Sequence, residues 1–360
     1  MKRLNPVVLS LMLFVLATSI FAAGAGDLDP TFGTGGKVYG VPANFVPAED
    51  VAVQADGKLV LVGSTLGPDM TQDYGIVRLN SNGSPDTGFG INGLLTISFD
   101  AGANEMATAV VIQSDGKIVV AGSAQSATTG WDWGVIRINT NGTLDTSYNS
   151  PNGKAKINFS GEDFANDMII QPDDNVVITG TVRVNPNKDI AIARLTTTGV
   201  LDTTFVGPAG RTFIDINNGN EDESFALARQ SDGSLIMAGR SAGLSGGDFL
   251  LVRMTSAGAI DATFGFGGAV LTPIGTQNDS AYAVAIQPDG KIVAAGIANS
   301  GSFDEAAFAR YTSAGALDTT FDGDGKVSYD ILASSSDVIR SLIIQADGKM
   351  VGVGASGGSF

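Results

Sequence analysis

A five-residue phrase, Gln-x-Asp-Gly-Lys or a close variant, returns six times, with its Gln at positions 54, 113, 171, 230, 287 and 345. The intervals are 59, 58, 59, 57 and 58 residues. An Arg followed by an apolar residue keeps the same step at Arg78, Arg137, Arg194, Arg253 and Arg310. So does Leu-Asp-x-Thr-Phe or a near variant, whose Asp stands at 29, 86, 145, 202, 261 and 318. Three marks in one phase define a unit of about 58 residues, and a chain of such units buries its apolar faces by stacking neighbour on neighbour.

Within the second unit, alternation and turn residues predict strands at Leu94 to Phe99, Ala107 to Gln113, Ile118 to Ala121 and Trp133 to Ile138. Ser114-Asp115-Gly116-Lys117 lies between the second and third of these, and Asp-Gly favours a tight hairpin turn. The third unit departs, with Asp173-Asp174-Asn175, whose side chains still tolerate the left-handed region. With 48 Gly, 43% hydrophobic residues and little helical spacing, the expectation is an all-β fold with a packed core. Four antiparallel strands per unit point to a β-propeller of about six four-stranded blades, although 58 residues exceeds the usual propeller repeat of about 40 to 50. A β-helix repeats in shorter units, and a row of separate sheets exposes pairable edges. The sixth Arg-bearing strand would fall past Phe360, so one strand of twenty-four is missing: either the last blade is incomplete, with three strands, or, as we prefer, the sequence is a fragment.

Lys2 and Arg3 precede an apolar run from Val7 to Phe21, followed by Ala23-Gly24-Ala25. Residues 1–25 therefore read as a signal peptide and residues 26–360 as the propeller. The run is short for a spanning helix, and no later segment in the mature chain is apolar enough to cross a bilayer. Export to the periplasm, the cell surface or the exterior follows. Lys+Arg 21 against Asp+Glu 37 gives a net charge of −16, which argues against nucleic acid or an anionic membrane as partner. The absence of His and Cys excludes imidazole bases, thiolate zinc sites and Ser-His or Cys-His nucleophile pairs.

Gln-Pro-Asp-Gly-Lys-Ile-Val-Ala-Ala-Gly at 287–296 and Ala-Leu-Asp-Thr-Thr-Phe-Asp-Gly-Asp-Gly-Lys-Val at 316–327 resemble the bacterial delta-60 repeat, a propeller-forming unit of uncharacterised function. The resemblance covers nearly everything from Gly26 onward. It implies a secreted or surface-exposed bacterial propeller, and it carries no activity, ligand or catalytic residue with it.

Eight residues before the repeat Gln, five units carry an acid: Glu105, Asp163, Asp222, Asp279 and Asp337, with Val46 in the remaining unit. If equivalent loops surround one end of the channel, these carboxylates form a ring suited to Ca²⁺, which prefers several hard oxygen ligands. The alternative is that each accepts backbone N–H bonds and shapes its own turn. A second set of acids, Asp73, Asp132, Asp189, Asp248 and Glu305, precedes each repeat Arg by five. An odd spacing puts acid and Arg on opposite strand faces, which leaves contacts between neighbouring blades. Asp322-Gly323-Asp324-Gly325 fails as an EF-hand loop, because the twelfth position counted from Asp318 is Tyr329. Trp131 has no aromatic counterpart in the other units and is a candidate for an exposed ring that stacks a sugar or anchors a protein, against local packing over its own blade. Trp133 aligns with Tyr74, Ile190 and Phe249 and is assigned to the core.

Units that differ little and offer no singular polar constellation point to a non-catalytic binding or scaffold module with a protein or glycan partner and no obligatory cofactor. The rival readings are a carboxylate-based carbohydrate-active enzyme, with Glu162, Glu221 and Asp324 as the acids outside the repeat pattern, and a Ca²⁺-stabilised structural propeller.

Overall fold

A computed structural model describes residues 27–38, 45, 48–67, 69–184, 186–216, 219–243, 246–299, 301–333 and 335–357. The signal peptide read at 1–25, Val46 and the last three residues lie outside this set. The described residues form 22 strands and no helix. Blade 1 comprises β1 (Asp50–Val53), β2 (Leu59–Leu66), β3 (Gln72–Leu79) and β4 (Leu94–Ile97). Blade 2 comprises β5 (Glu105–Ile112), β6 (Ile118–Ser126), β7 (Gly130–Ile138) and β8 (Lys154–Ile157). Blade 3 comprises β9 (Asp163–Ile170), β10 (Val176–Val184), β11 (Asn187–Leu195) and β12 (Arg211–Ile214). Blade 4 comprises β13 (Asp222–Arg229), β14 (Leu235–Gly243), β15 (Gly246–Met254) and β16 (Ala269–Thr272). Blade 5 comprises β17 (Ser280–Ile286), β18 (Ile292–Asn299), β19 (Asp304–Tyr311) and β20 (Lys326–Tyr329). The sixth sheet holds β21 (Asp337–Ile344) and β22 (Met350–Ser356).

Each sheet is an antiparallel meander, and its phase corrects the sequence grouping. The strand at Leu94 to Phe99 does not open the second unit; as β4 it pairs with β3, from Val77 with Leu94 to Tyr74 with Ile97, and forms the outer edge of blade 1. Alternation locates strands but not which of two loops changes sheet, so the regrouping lay beyond the pattern. In consequence the sixth sheet shows two strands among the described residues rather than three.

Neighbouring sheets pack face to face. One core cluster joins Val60, Val62, Tyr74 and Ile76 of blade 1 to Val110, Ile118, Val120 and Ile136 of blade 2. The next joins Val119, Trp133 and Val135 to Met168, Ile178 and Ala191 of blade 3. Trp133 is fully buried against Phe159 at 4.8 Å between ring centroids. Each such aliphatic or aromatic side chain contributes on the order of 1.5–3 kcal/mol on burial, and most of that gain exists only between blades.

Each inner strand from β5 onward carries one β-bulge, with the extra residue at Thr108, Asn166, Phe225, Tyr282 and Arg340. The neighbouring strand makes room with a glycine: a Cβ on Gly122 would lie 2.0 Å from the Met106 carbonyl oxygen. A bulge re-aims one side chain out of the ladder, which here sets up the site described next.

Near the N-terminus, the Gly33 amide donates to the Asn82 carbonyl at 2.7 Å, and a Cβ on Gly83 would lie 3.1 Å from the Phe32 ring. Residues 28–38 thus dock on blade 1 as the turns ending in Phe89, Tyr148, Phe205 and Phe264 dock on the blades after theirs, at Gly142, Gly199, Gly258 and Gly315.

Candidate functional site

A cavity of about 230 Å³ lies where the six inner strands converge. The five bulge residues and Glu49, the residue five before Gln54, line it together. Thr108 Oγ1 donates to the Ala165 carbonyl at 2.8 Å, and Asn166 Nδ2 donates to the Ser224 carbonyl at 2.7 Å. Phe225 and Tyr282 then meet with ring centroids 5.1 Å apart. The Arg340 guanidinium covers the Tyr282 ring at 4.5 Å. One structural position therefore carries a carboxylate, a hydroxyl, an amide, two aromatic rings and a guanidinium, each of the middle ones reaching to the next blade.

Two half-buried carboxylates complete the wall. Asp50 accepts the Val51 amide at 2.7 Å and the Val110 amide of blade 2 at 2.8 Å. Asp167 accepts the Met168 amide at 2.7 Å and the Leu227 amide of blade 4 at 2.7 Å. Burial first, and then the nearby Asp50, push the Asp167 carboxyl up to about 7 against the pull of those amides. Both carboxyls bridge blades, and both spend each oxygen on a main-chain N–H.

The five acids expected to ring the channel do not line this cavity. Each is fully buried at its own blade junction. Glu105 accepts the Phe99 amide at 2.6 Å, Asp163 that of Phe159 at 2.6 Å, and Asp222 that of Ile216 at 2.7 Å. Asp279 accepts Ile274 and Asp337 accepts Ile331, each at 2.7 Å. The structure brings each of the first four close to the acid of the second set on the preceding blade rather than to one another: Asp73 acts on Glu105, Asp132 on Asp163, Asp222 on Asp189 and Asp279 on Asp248. Among these buried oxygens, Asp73 Oδ1, Glu105 Oε2, Asp132 Oδ1 and Asp163 Oδ1 accept no hydrogen bond.

Trp131 is half-buried in β7, and its ring tilts against Phe164 of the next blade at 5.8 Å. The acids outside the repeat pattern also stand apart from the axis. Glu162 pairs with Arg183 at 3.3 Å and Glu221 with Arg240 at 3.1 Å, while Asp324 accepts the Lys326 amide at 2.9 Å. The axial residues escaped the sequence reading because a repeat search finds what recurs, and these positions differ in every blade. The signal that finds them is the bulge: counting five back from each repeat Gln gives Glu49, Thr108, Asn166, Phe225, Tyr282 and Arg340.

Five segments, 54–89, 113–148, 171–205, 230–264 and 287–321, match the family described as a domain of unknown function (DUF5122) β-propeller. Each runs from the repeat Gln to the aromatic residue of the Asp-x-x-Phe turn, and none includes an axial bulge position. No curated protein matches the chain. Among solved structures, a protein of unknown function from Dyadobacter fermentans is similar at 12% identity over 80% of this chain and 84% of its own, with a TM-score of 0.46. A Lactobacillus plantarum protein is similar at 13% identity over 87% and 79%, TM-score 0.49. A thermostable family-43 glycoside hydrolase is similar at 14% identity over 70% and 82%, TM-score 0.39.

Proposed function

Since the five matches make the chain a β-propeller repeat protein, we propose that it is an exported, non-catalytic binding module that holds a sugar residue in the axial cavity. The observation that carries this reading is the set of bulge residues, which break the repeat at the one place where all blades meet. Phe225 and Tyr282 offer apolar ring faces, and Asn166, Glu49 and Arg340 offer planar polar groups at the same wall. That combination suits a ring with one apolar face and several hydroxyls. A cavity of about 230 Å³ takes one such unit and leaves the rest of a chain outside. Non-catalytic action is favoured because Asp50 and Asp167 already hold main-chain amides with both oxygens. Export rests on the charge and apolar pattern of residues 1–25.

The enzyme reading has one specific observation in its favour. Asp167, raised to about 7 and close to Asp50, resembles a general acid beside a second carboxyl.

A glycan array followed by saturation-transfer NMR on the unmodified protein, Tyr282→Ala and Arg340→Ala decides between them. Binding weakened at least about tenfold in both variants, with no turnover, supports the module, because tenfold corresponds to about 1.4 kcal/mol of lost contact. No glycan bound, or binding indifferent to both substitutions, overturns it. Turnover lost in Asp167→Asn establishes the enzyme instead.

A further inference from the structure

Four blade junctions bring together the same pair of acids, all buried except the half-buried Asp248: Asp73 with Glu105, Asp132 with Asp163, Asp189 with Asp222, and Asp248 with Asp279. Two carboxylates withdrawn from water repel unless a cation or a proton joins them. At three junctions the protein supplies the cation from one position, the first residue of the following outer strand. Lys154 opens β8, offsets the charge at Asp73 and donates its Nζ proton to the Ser98 carbonyl. Arg211 opens β12, favours ionised Asp163 and stacks on Phe159 at 5.6 Å. Lys326 opens β20, favours ionised Asp279 and donates to the Pro273 carbonyl at 3.0 Å.

At the junction of blades 3 and 4 this position is Ala269, a buried methyl group. The same junction has a third acid. The loop position occupied by Ser98, Asn158 and Pro273 at the other three junctions is Asp215 here, an acid that recurs at this position only as Asp330 after β20. One oxygen from each of Asp189, Asp215 and Asp222 lies within 4.8 Å of the others. Asp189 is 5% exposed, and no hydrogen bond reaches its carboxylate among the described residues. Burial, then Asp215 and Asp222, all act to raise its pKa, to about 6, with no cation opposing them. The junction that lost its built-in cation has gained a carboxylate.

We propose that Asp189, Asp215 and Asp222 bind one hard divalent cation, Ca²⁺ in preference to Mg²⁺, which takes the place that Lys or Arg fills at the sister junctions. The donors are carboxylate oxygens alone, which selects a hard cation over zinc or copper. Asp189 and Asp222 are buried while Asp215 is exposed, so the site has a closed floor and an open side for entry and for water ligands. Three acids on a solvent-facing loop and two strands suit the irregular, adaptable shell of Ca²⁺ better than the strict octahedron of Mg²⁺. This site is separate from the axial cavity and stands whatever binds there.

Calorimetric titration and thermal melting of the full chain with Ca²⁺, Mg²⁺ or chelator test the assignment. The unmodified protein binds one Ca²⁺, and at about 100 times Kd its Tm rises by about 5 °C over the chelated form. Ala269→Lys restores the missing internal cation: its Tm in chelator rises, and the increment from Ca²⁺ disappears. Asp215→Asn, at an exposed position, still folds and loses the Ca²⁺ heat. The proposal falls if Ca²⁺ gives neither heat nor a Tm change, if Mg²⁺ binds as tightly, or if both variants keep the full response.

Discussion

The guanidinium of Arg137 is held by Asp145, Nε to Oδ2, at 2.8 Å, and both side chains are buried. The same guanidinium lies over the Tyr148 ring at 4.7 Å and donates to the Thr197 carbonyl of the next blade. Arg78, Arg194, Arg253 and Arg310 repeat the pairing with Asp86, Asp202, Asp261 and Asp318 at 2.8–2.9 Å. The second and third repeat marks are thus two halves of one interlock. Replacing Arg137 by Lys keeps a charge but loses the planar fork and most of the stacking. Arg137→Ala leaves Lys117, at 3.1 Å, as the one cation on Asp145 and removes the bond to the Thr197 carbonyl and the stacking on Tyr148; it is expected to cost about 2–4 kcal/mol, with Arg137→Lys between it and the unmodified protein. Chemical denaturation checks this order; equal stability of Lys and Arg at 137 would show that charge alone suffices.

Gly199 sits at φ +81°, with a Cβ position only 2.7 Å from the Tyr148 ring of the preceding blade. Gly199→Ala therefore combines left-handed strain of about 1–2 kcal/mol with a clash at a blade interface. A loss of about 2–4 kcal/mol is expected in the same denaturation experiment. A change below about 0.5 kcal/mol would mean that the rings yield freely and the blades are not locked there.

Stability should fall as the solution passes from mildly acid to neutral. Burial raises Asp163 to about 6 and Asp167 to about 7, far above the value of about 3.9 in an unfolded chain. The folded state holds these protons more tightly, so their contribution is complete below about pH 4 and is lost as pH rises through about 6 to 7. Asp145 and Asp318 act in the opposite sense. Hydrogen bonds and the facing Arg and Lys side chains hold both well below the usual range despite the burial of Asp145, so their contribution is lost only in strong acid. Melting in chelator should give a higher Tm near pH 5.5 than at pH 8, and Asp167→Asn should flatten the upper part of that slope. A Tm that climbs steadily to pH 8 contradicts the assignment.

The axial ring separates structural from recognition roles. Asn166→Ala removes a 2.7 Å bond to the Ser224 carbonyl of blade 4 and should cost about 1–2 kcal/mol. Arg340 is exposed, so Arg340→Ala should change stability by less than about 0.5 kcal/mol while weakening glycan binding. A large stability loss at 340 would make that residue a blade clamp instead.

Much of the scaffold was legible in the primary structure because its causes are local. Asp115-Gly116 turns a hairpin, alternation at Trp133 to Ile138 marks a strand, and the interval between repeat Gln residues counts the blades. The assignment of Leu94 to Ile97 to blade 1 was not legible, since alternation is the same whichever sheet a strand joins. Nor was the pairing of Asp73 with Glu105, because it depends on how one blade stacks upon the next.

The amino-acid sequence by itself determined the period, the turns, the strand content and the sign of the surface charge, all set by residues within a few positions of one another. Tertiary structure decided what residues about one repeat apart do when blades stack. It aimed the bulge residues at one axis, faced acids across four blade junctions, and left Ala269 where its sisters place a cation. Side-chain alternation and turn chemistry reach two to four positions along a chain, whereas these groups meet only through the packing of separate sheets.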